Sequence, residues 1–178
     1  MDSKAQELAD ALKRYSLTSM QQYRTRYFLA RLTQHVDMAF SGIKVPGSLE
    51  PYMVLEIEHI LPNKPEKELS DAWASENPDA IYDDYKNRLG NLTLLEKPIN
   101  IVASNDFYSA KQAEYRKSNN YLTRSMVELT NVGQNSSITR INAKLASYSV
   151  WNAHAIEERH SMLTALAREI WKITTIEI

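Results

Sequence analysis

The sequence predicts an α+β protein that is mainly helical, with two short strands inserted between flanking helices. Three observations carry this. Apolar residues recur at three- and four-residue steps over roughly 5–40 and again over 151–172. Two short apolar runs, at 52–60 and 91–95, are bounded by Gly, Asn or Pro. The stretches between are polar, with turn residues at their ends.

Taken in order, "SMQQYRTRYFLARLTQHVDMAF" places Met20, Tyr23, Tyr27 and Ala30, then Phe28, Leu32, Val36 and Phe40, at helical spacing. Ser19 is available to cap that helix, and the whole set is expected to form a broad buried stripe. "SGIKVPGSLEP" ends it with two Gly, two Pro and two Ser. "YMVLEIEHI" is short and rich in β-branched and aromatic residues, so it reads as a strand closed by Pro62. From Asn63 to Lys86 a polar, acidic loop with one short helix is expected, anchored by Trp73 and Tyr85. "NRLGNLTLLEKPIN" then supplies the second strand, Leu92 to Leu95, followed by a turn. A polar helix is expected to run on through Ser118, with Phe107, Lys111 and Tyr115 along one face. After the break "NVGQNSSITR", Ile156, Met162, Leu163, Leu166 and Ile170 predict an amphipathic helix packed back on the first.

Composition narrows the function classes. At 178 residues, 43% hydrophobic and 24% charged, the chain has the scale of one soluble domain, so 1–178 is expected to be a single unit. No run of eighteen apolar residues and no signal-like start is present, which leaves a cytoplasmic setting without a membrane as the default. The absence of cysteine removes thiolate chemistry and sulfur-based zinc sites, so any metal would be held by oxygen or nitrogen. A formal charge of -1 gives no global attraction to nucleic acid, and binding DNA would rely on local Lys and Arg.

"EIEHILP" followed by "RLGNLTLLEKPIN", with nine residues from Asn91 to Asn100, resembles the HNH class of His-Me finger (ββα-metal) nucleases. A longer pattern takes in "RTRYFLARL", "EHILPNKPEKELSDAW", "NRLGNLTLLEKPINIVASNDFYSAKQAEY" and the stretch from "W" through "IEERHSMLTALAREIW". It spans residues 23 to 172 and is most similar to the C-terminal nuclease domain of GmrSD-type modification-dependent restriction proteins. The resemblance implies a helical domain with an inserted two-stranded ββα-metal finger at about 52–118, flanked by helices 5–40 and 151–172. It also implies a DNA endonuclease or nickase serving phage defence. An N-terminal ParB-like nucleotide-hydrolysing sensor, as a domain or subunit outside this chain, is implied as partner.

The chemistry accounts for the residue types. Phosphodiester hydrolysis needs a deprotonated, in-line water and neutralised charge on the phosphate and leaving oxygen. The resemblance makes His59 the general base, since an imidazole titrating near ~6.5 suits that role at neutral pH. It makes Glu58 and Asn100 ligands of one divalent ion, Mg²⁺ or Mn²⁺, with water and phosphate completing the shell. Asn91 would brace the loop that carries His59.

Other readings of the same residues stay open. Glu56 shares a strand face with Glu58 and rivals it as ligand, and the family commonly has Asp where this chain has Glu58. Asn100 could cap a helix as well as bind metal. Asn105 and Asp106 read as cap or polar-face residues, Trp73, Trp151 and Trp171 as core anchors, and His154 and His160 as structural. Arg88, Lys111 and Arg116, with Lys117 and Arg124 nearby, are the candidate phosphate contacts. Arg159 could brace the fold or meet phosphate. Two alternatives of other classes are a catalytically silent binding module on the same scaffold, and an all-helical adaptor in which the two short segments do not pair.

Overall fold

The structure is a computed structural model that describes residues 3–14, 21–131 and 135–172. Its elements run α1 (Ser3–Lys13), α2 (Gln22–Ser41), α3 (Glu50–Met53), β1 (Glu56–His59), α4 (Lys67–Glu76) and α5 (Tyr82–Lys86). A 3-10 turn (Leu89–Asn91) leads into β2 (Leu92–Leu95), then α6 (Lys97–Ala103), α7 (Tyr108–Tyr115), α8 (Tyr121–Arg124), α9 (Ser136–Asn142) and α10 (Ala153–Ile170).

The two short apolar runs do pair. β1 and β2 form a two-stranded antiparallel sheet with Glu56 opposite Leu95, Ile57 opposite Leu94, Glu58 opposite Thr93 and His59 opposite Leu92. The Ile60 N–H donates to the Asn91 carbonyl and carries the pairing one step past β1. All four β2 residues are buried because the strand lies between two apolar clusters. Its side chains alternate: Leu92 and Leu94 pack with α2, α8 and the second half of α10. Leu95 joins Ile60, Trp73, Tyr115, Trp151 and Ile156. Each such leucine contributes about 1.5–3 kcal/mol on burial, which fixes the register, since a one-residue slip would exchange the faces.

The flanking helices hold this sheet. The stretch 5–40 contains two helices, α1 and α2, and α2 ends at Gly42, whose φ of 71° closes a left-handed cap with its N–H on the Ala39 carbonyl. Ser19 and Met20 lie outside the described residues, and Gln21 occupies the cap position without a side-chain bond. The buried stripe of α2 is Leu29, Ala30, Leu32, Thr33 and Val36. Tyr23 (67% exposed) and Tyr27 (43%) lie on its other side, contrary to expectation, because the stripe is narrower than their spacing implied. At the other end α10 starts where the Asn152 side chain accepts from the Ala155 N–H, and it buries Ile156, Leu163 and Leu166. It returns to α2, where Trp171 stacks on Phe28 with ring centroids 5.3 Å apart.

Two stretches differ from the sequence reading in the same way, by an added break. The loop at 63–86 holds two helices, α4 and α5, and Trp73 on α4 packs on Tyr82 and Tyr85. The helix expected to run through Ser118 is split into α6 and α7 at Ser104, which has φ 48° and ψ -150°. Asp106 accepts from the Phe107 N–H just before α7, so "SND" supplies side-chain competition against continued helix. Among the described residues no helix is long and apolar enough to cross a membrane.

Candidate active site

His59 ends β1, and its half-buried imidazole leaves Nε2 without a hydrogen-bond partner. Burial pushes its pKa below the ordinary 6.5; a hydrogen bond with the Asn87 side chain opposes this, and the charges of Lys111 and Lys86 add to the downward push. At neutral pH the ring is therefore neutral and able to take a proton.

Asn91, whose carbonyl accepts from the Ile60 N–H next to His59, is fully buried. Its Oδ1 accepts from the Leu61 N–H at 2.7 Å and from Trp151 Nε1 at 2.9 Å. Its Nδ2 donates to the Leu61 carbonyl at 2.9 Å and the Lys86 carbonyl at 2.7 Å. One amide thus uses four hydrogen bonds to tie the segment after His59 to the end of α5 and to Trp151, two residues before α10. Arg159 reinforces the turn around Asn91: its Nη1 donates to the Gly90 and Leu92 carbonyls, both at 2.7 Å. Complete burial lowers the Arg159 pKa to about 10, so it stays charged at neutral pH. Gly90 is required there, since a Cβ would lie 2.0 Å from the Ile156 carbonyl oxygen of α10.

The two carboxylates of β1 share a strand face and meet different helices. Glu56 meets α6, where Asn100 Nδ2 donates to its Oε2 at 2.7 Å. Asn100 is a first-turn residue of α6 and not its cap, which is Glu96, and its buried Oδ1 has no partner. Glu58 meets α7 and is buried (6% exposed). Its Oε1 accepts from Lys111 Nζ and from the Tyr115 hydroxyl, each at 2.7 Å. Burial pulls the Lys111 ammonium below its ordinary range against the opposing attraction of Glu58, and it drives the Tyr115 hydroxyl well above its own.

The family model that matches is that of the GmrSD restriction endonucleases, C-terminal domain, over residues 2–166. The chain belongs to the GmrSD C-terminal-domain family. No curated protein and no solved structure matches it.

Within this GmrSD C-terminal domain the cations divide by burial. Lys111 is 1% exposed and spends its ammonium inside the protein, which takes it off the surface where a phosphate would lie. Arg116 is half-exposed, with Glu128 only at 3.9 Å. Arg88 lies over the Tyr85 ring and 3.5 Å from Glu157. Arg124 packs over Phe40 and Tyr121, and Lys117 pairs with Glu114. Trp73 and Trp151 are buried anchors, while Trp171 is 38% exposed. Asn105 and Asp106 line an open polar groove with Lys64, Glu66 and Glu68. His160 is buried and His154 exposed.

Sequence reasoning did not find the inward course of Lys111, the Tyr115 bond to Glu58, the Trp151 bond to Asn91 or the Asn87 contact of His59. One signal was present: Lys111 lies four residues before Tyr115 on the same face of α7, and both are buried, although Phe107 one turn earlier is exposed. Nothing in the local sequence of Asn87 or Trp151 marks them, because both act across long separations.

Proposed function

We propose that the chain is an HNH-type, His-Me finger nuclease domain that hydrolyses DNA phosphodiesters as an endonuclease or nickase. The observation that carries the reading is His59, an imidazole whose pKa burial lowers and whose Nε2 is buried without a hydrogen-bond partner. It stands on a segment that Asn91 grips with two hydrogen bonds at Leu61 and anchors with two more to Lys86 and Trp151. A ring held in one place with an unpartnered nitrogen is what general-base removal of a water proton requires, once substrate and water reach the covered Nε2. The order strand, strand, helix, with the base on the first strand and Asn100 on the helix, supports the finger assignment.

The residues fit one hard divalent ion, Mg²⁺ or Mn²⁺. The unpartnered, buried Asn100 Oδ1 is an oxygen donor without an acceptor role, and a buried acceptor left unpaired is costly unless something satisfies it. Asn100 would hold the ion together with β1 carboxylate oxygens: Glu56 adjoins the amide directly, and Glu58 has Oε2 to offer. Among the described residues no three His, Cys, Asp or Glu side chains converge, so water and phosphate oxygens would complete the shell. When bound, such an ion neutralises charge on the phosphate and the leaving oxygen. His59 takes the water proton at Nε2. Arg116 and Arg88 are placed to meet the DNA backbone, Arg88 by exchanging Glu157 for phosphate.

Family membership supports a wider role in which this domain is the cleaving part of a phage-defence restriction system in the cytoplasm, with nucleotide hydrolysis and modification sensing on another domain or subunit. Incubating supercoiled plasmid with the protein and Mg²⁺ or Mn²⁺ tests the reading. Nicked or linear product that EDTA abolishes is expected; undiminished cleavage in chelator removes the metal from the reaction, and no cleavage in either metal leaves the silent scaffold as the better account.

A further inference from the structure

We propose that Lys111 is a positioning residue for the His59 segment, holding from α7 both the Glu58 carboxylate and the His59 backbone carbonyl with one ammonium. This deepens the reading of His59 as base and rests on it. Nζ lies 2.7 Å from Glu58 Oε1 and 2.8 Å from the His59 carbonyl oxygen. An ammonium has three donors and no acceptor, and here two of them reach consecutive residues of one strand. Tyr115, one turn along α7, adds a second bond to the same carboxylate.

The arrangement does more than a core ion pair requires. A buried Lys–Glu pair contributes little net stability over an apolar pair of similar volume, so stability alone does not explain it. The bond to the His59 carbonyl is the part that bears on the reaction. Past His59 the strand ends, and the next fixed points are the Ile60 N–H on the Asn91 carbonyl and both polar groups of Leu61 on the Asn91 side chain. His59 is therefore fastened at its own carbonyl by α7 and just beyond it by the turn before β2. Loss of either hold lets the imidazole drift, and a displacement near 1 Å costs about 10²-fold in rate.

The first test uses the wild-type protein without DNA or metal. By NMR, the Lys111 ammonium protons should exchange slowly with water and show coupling across the hydrogen bond to the His59 carbonyl carbon. Fast exchange without that coupling overturns the proposal, whether or not the protein cleaves DNA. The second test compares Lys111→Met, which keeps the proposed ligand Glu58 in place, with wild type in plasmid cleavage at saturating Mn²⁺, with melting curves for both. The expected result is a kcat lower by about 10²-fold at unchanged KM. A raised KM at wild-type kcat would make Lys111 a phosphate contact instead. If the wild type itself fails to cleave while the NMR coupling is present, it is the nuclease reading that falls and not the Lys111 clamp.

Discussion

Replacing Asn91 with alanine removes one side chain and strands four groups. The Leu61 N–H and Trp151 Nε1 lose their acceptor, and the Leu61 and Lys86 carbonyls lose their donor. The site is fully buried, and a stranded buried polar group costs about 1 to 3 kcal/mol, so the lower end over four groups already reaches about 4 kcal/mol. Asn100→Ala removes only one hydrogen bond, to a half-buried Glu56, worth about 1 kcal/mol. Urea unfolding of the two variants should therefore separate them clearly, with Asn91→Ala far less stable. Activity should separate them a second way: excess Mn²⁺ restores part of the rate of Asn100→Ala by mass action, whereas no metal concentration rebuilds a missing brace. Asn91→Asp sharpens the point, because it keeps Oδ1 but turns the donor toward two carbonyls into an acceptor, so it should unfold at least as readily as most buried substitutions. Metal rescue of Asn91→Ala beside an inert Asn100→Ala would reverse the two roles, and a stability loss below about 1 kcal/mol in Asn91→Ala would refute the brace.

Three further outcomes follow from the same geometry. Glu58→Gln leaves a buried Lys111 without its anion and should lose about 3 kcal/mol or more in denaturant unfolding, while Glu56→Gln, half-exposed, should change stability by about 0.5 kcal/mol or less and weaken metal binding measured by calorimetry. Because burial holds His59 below 6.5, its base form predominates at neutral pH and is lost as pH falls through that lowered value; the acid limb of kcat/KM should lie below 6.5, and a limb above it would contradict a desolvated base. Gly90→Ala drives a Cβ to within 2.0 Å of a backbone oxygen of α10 and should lower the melting temperature, since overpacking of this kind costs about 1–3 kcal/mol or more.

The strands and the last helix were legible because their signals are local. Leu92 to Leu95 alternate between two cores, and Ile156, Leu163 and Leu166 keep helical spacing. The split at Ser104 was hidden by good helix formers on both sides, and Tyr23 and Tyr27 were misread because spacing alone does not show how wide a buried stripe is. In the site, the pattern from Glu58 and His59 to Asn91 and Asn100 could be read along the chain. The partners could not. Lys111 reaches Glu58 across 53 positions and Trp151 reaches Asn91 across 60, and a charged side chain such as Lys111 is read by default as solvated until its neighbours are known.

Cleavage of supercoiled plasmid by wild type and by His59→Ala, side by side in Mn²⁺ with melting curves for both, tests the assignment of the base. The account predicts that His59→Ala melts as a folded protein, since its ring gives up only the Asn87 hydrogen bond and Nε2 holds no partner, and loses about 10²- to 10⁴-fold in rate. Equal rates for the two proteins would contradict it.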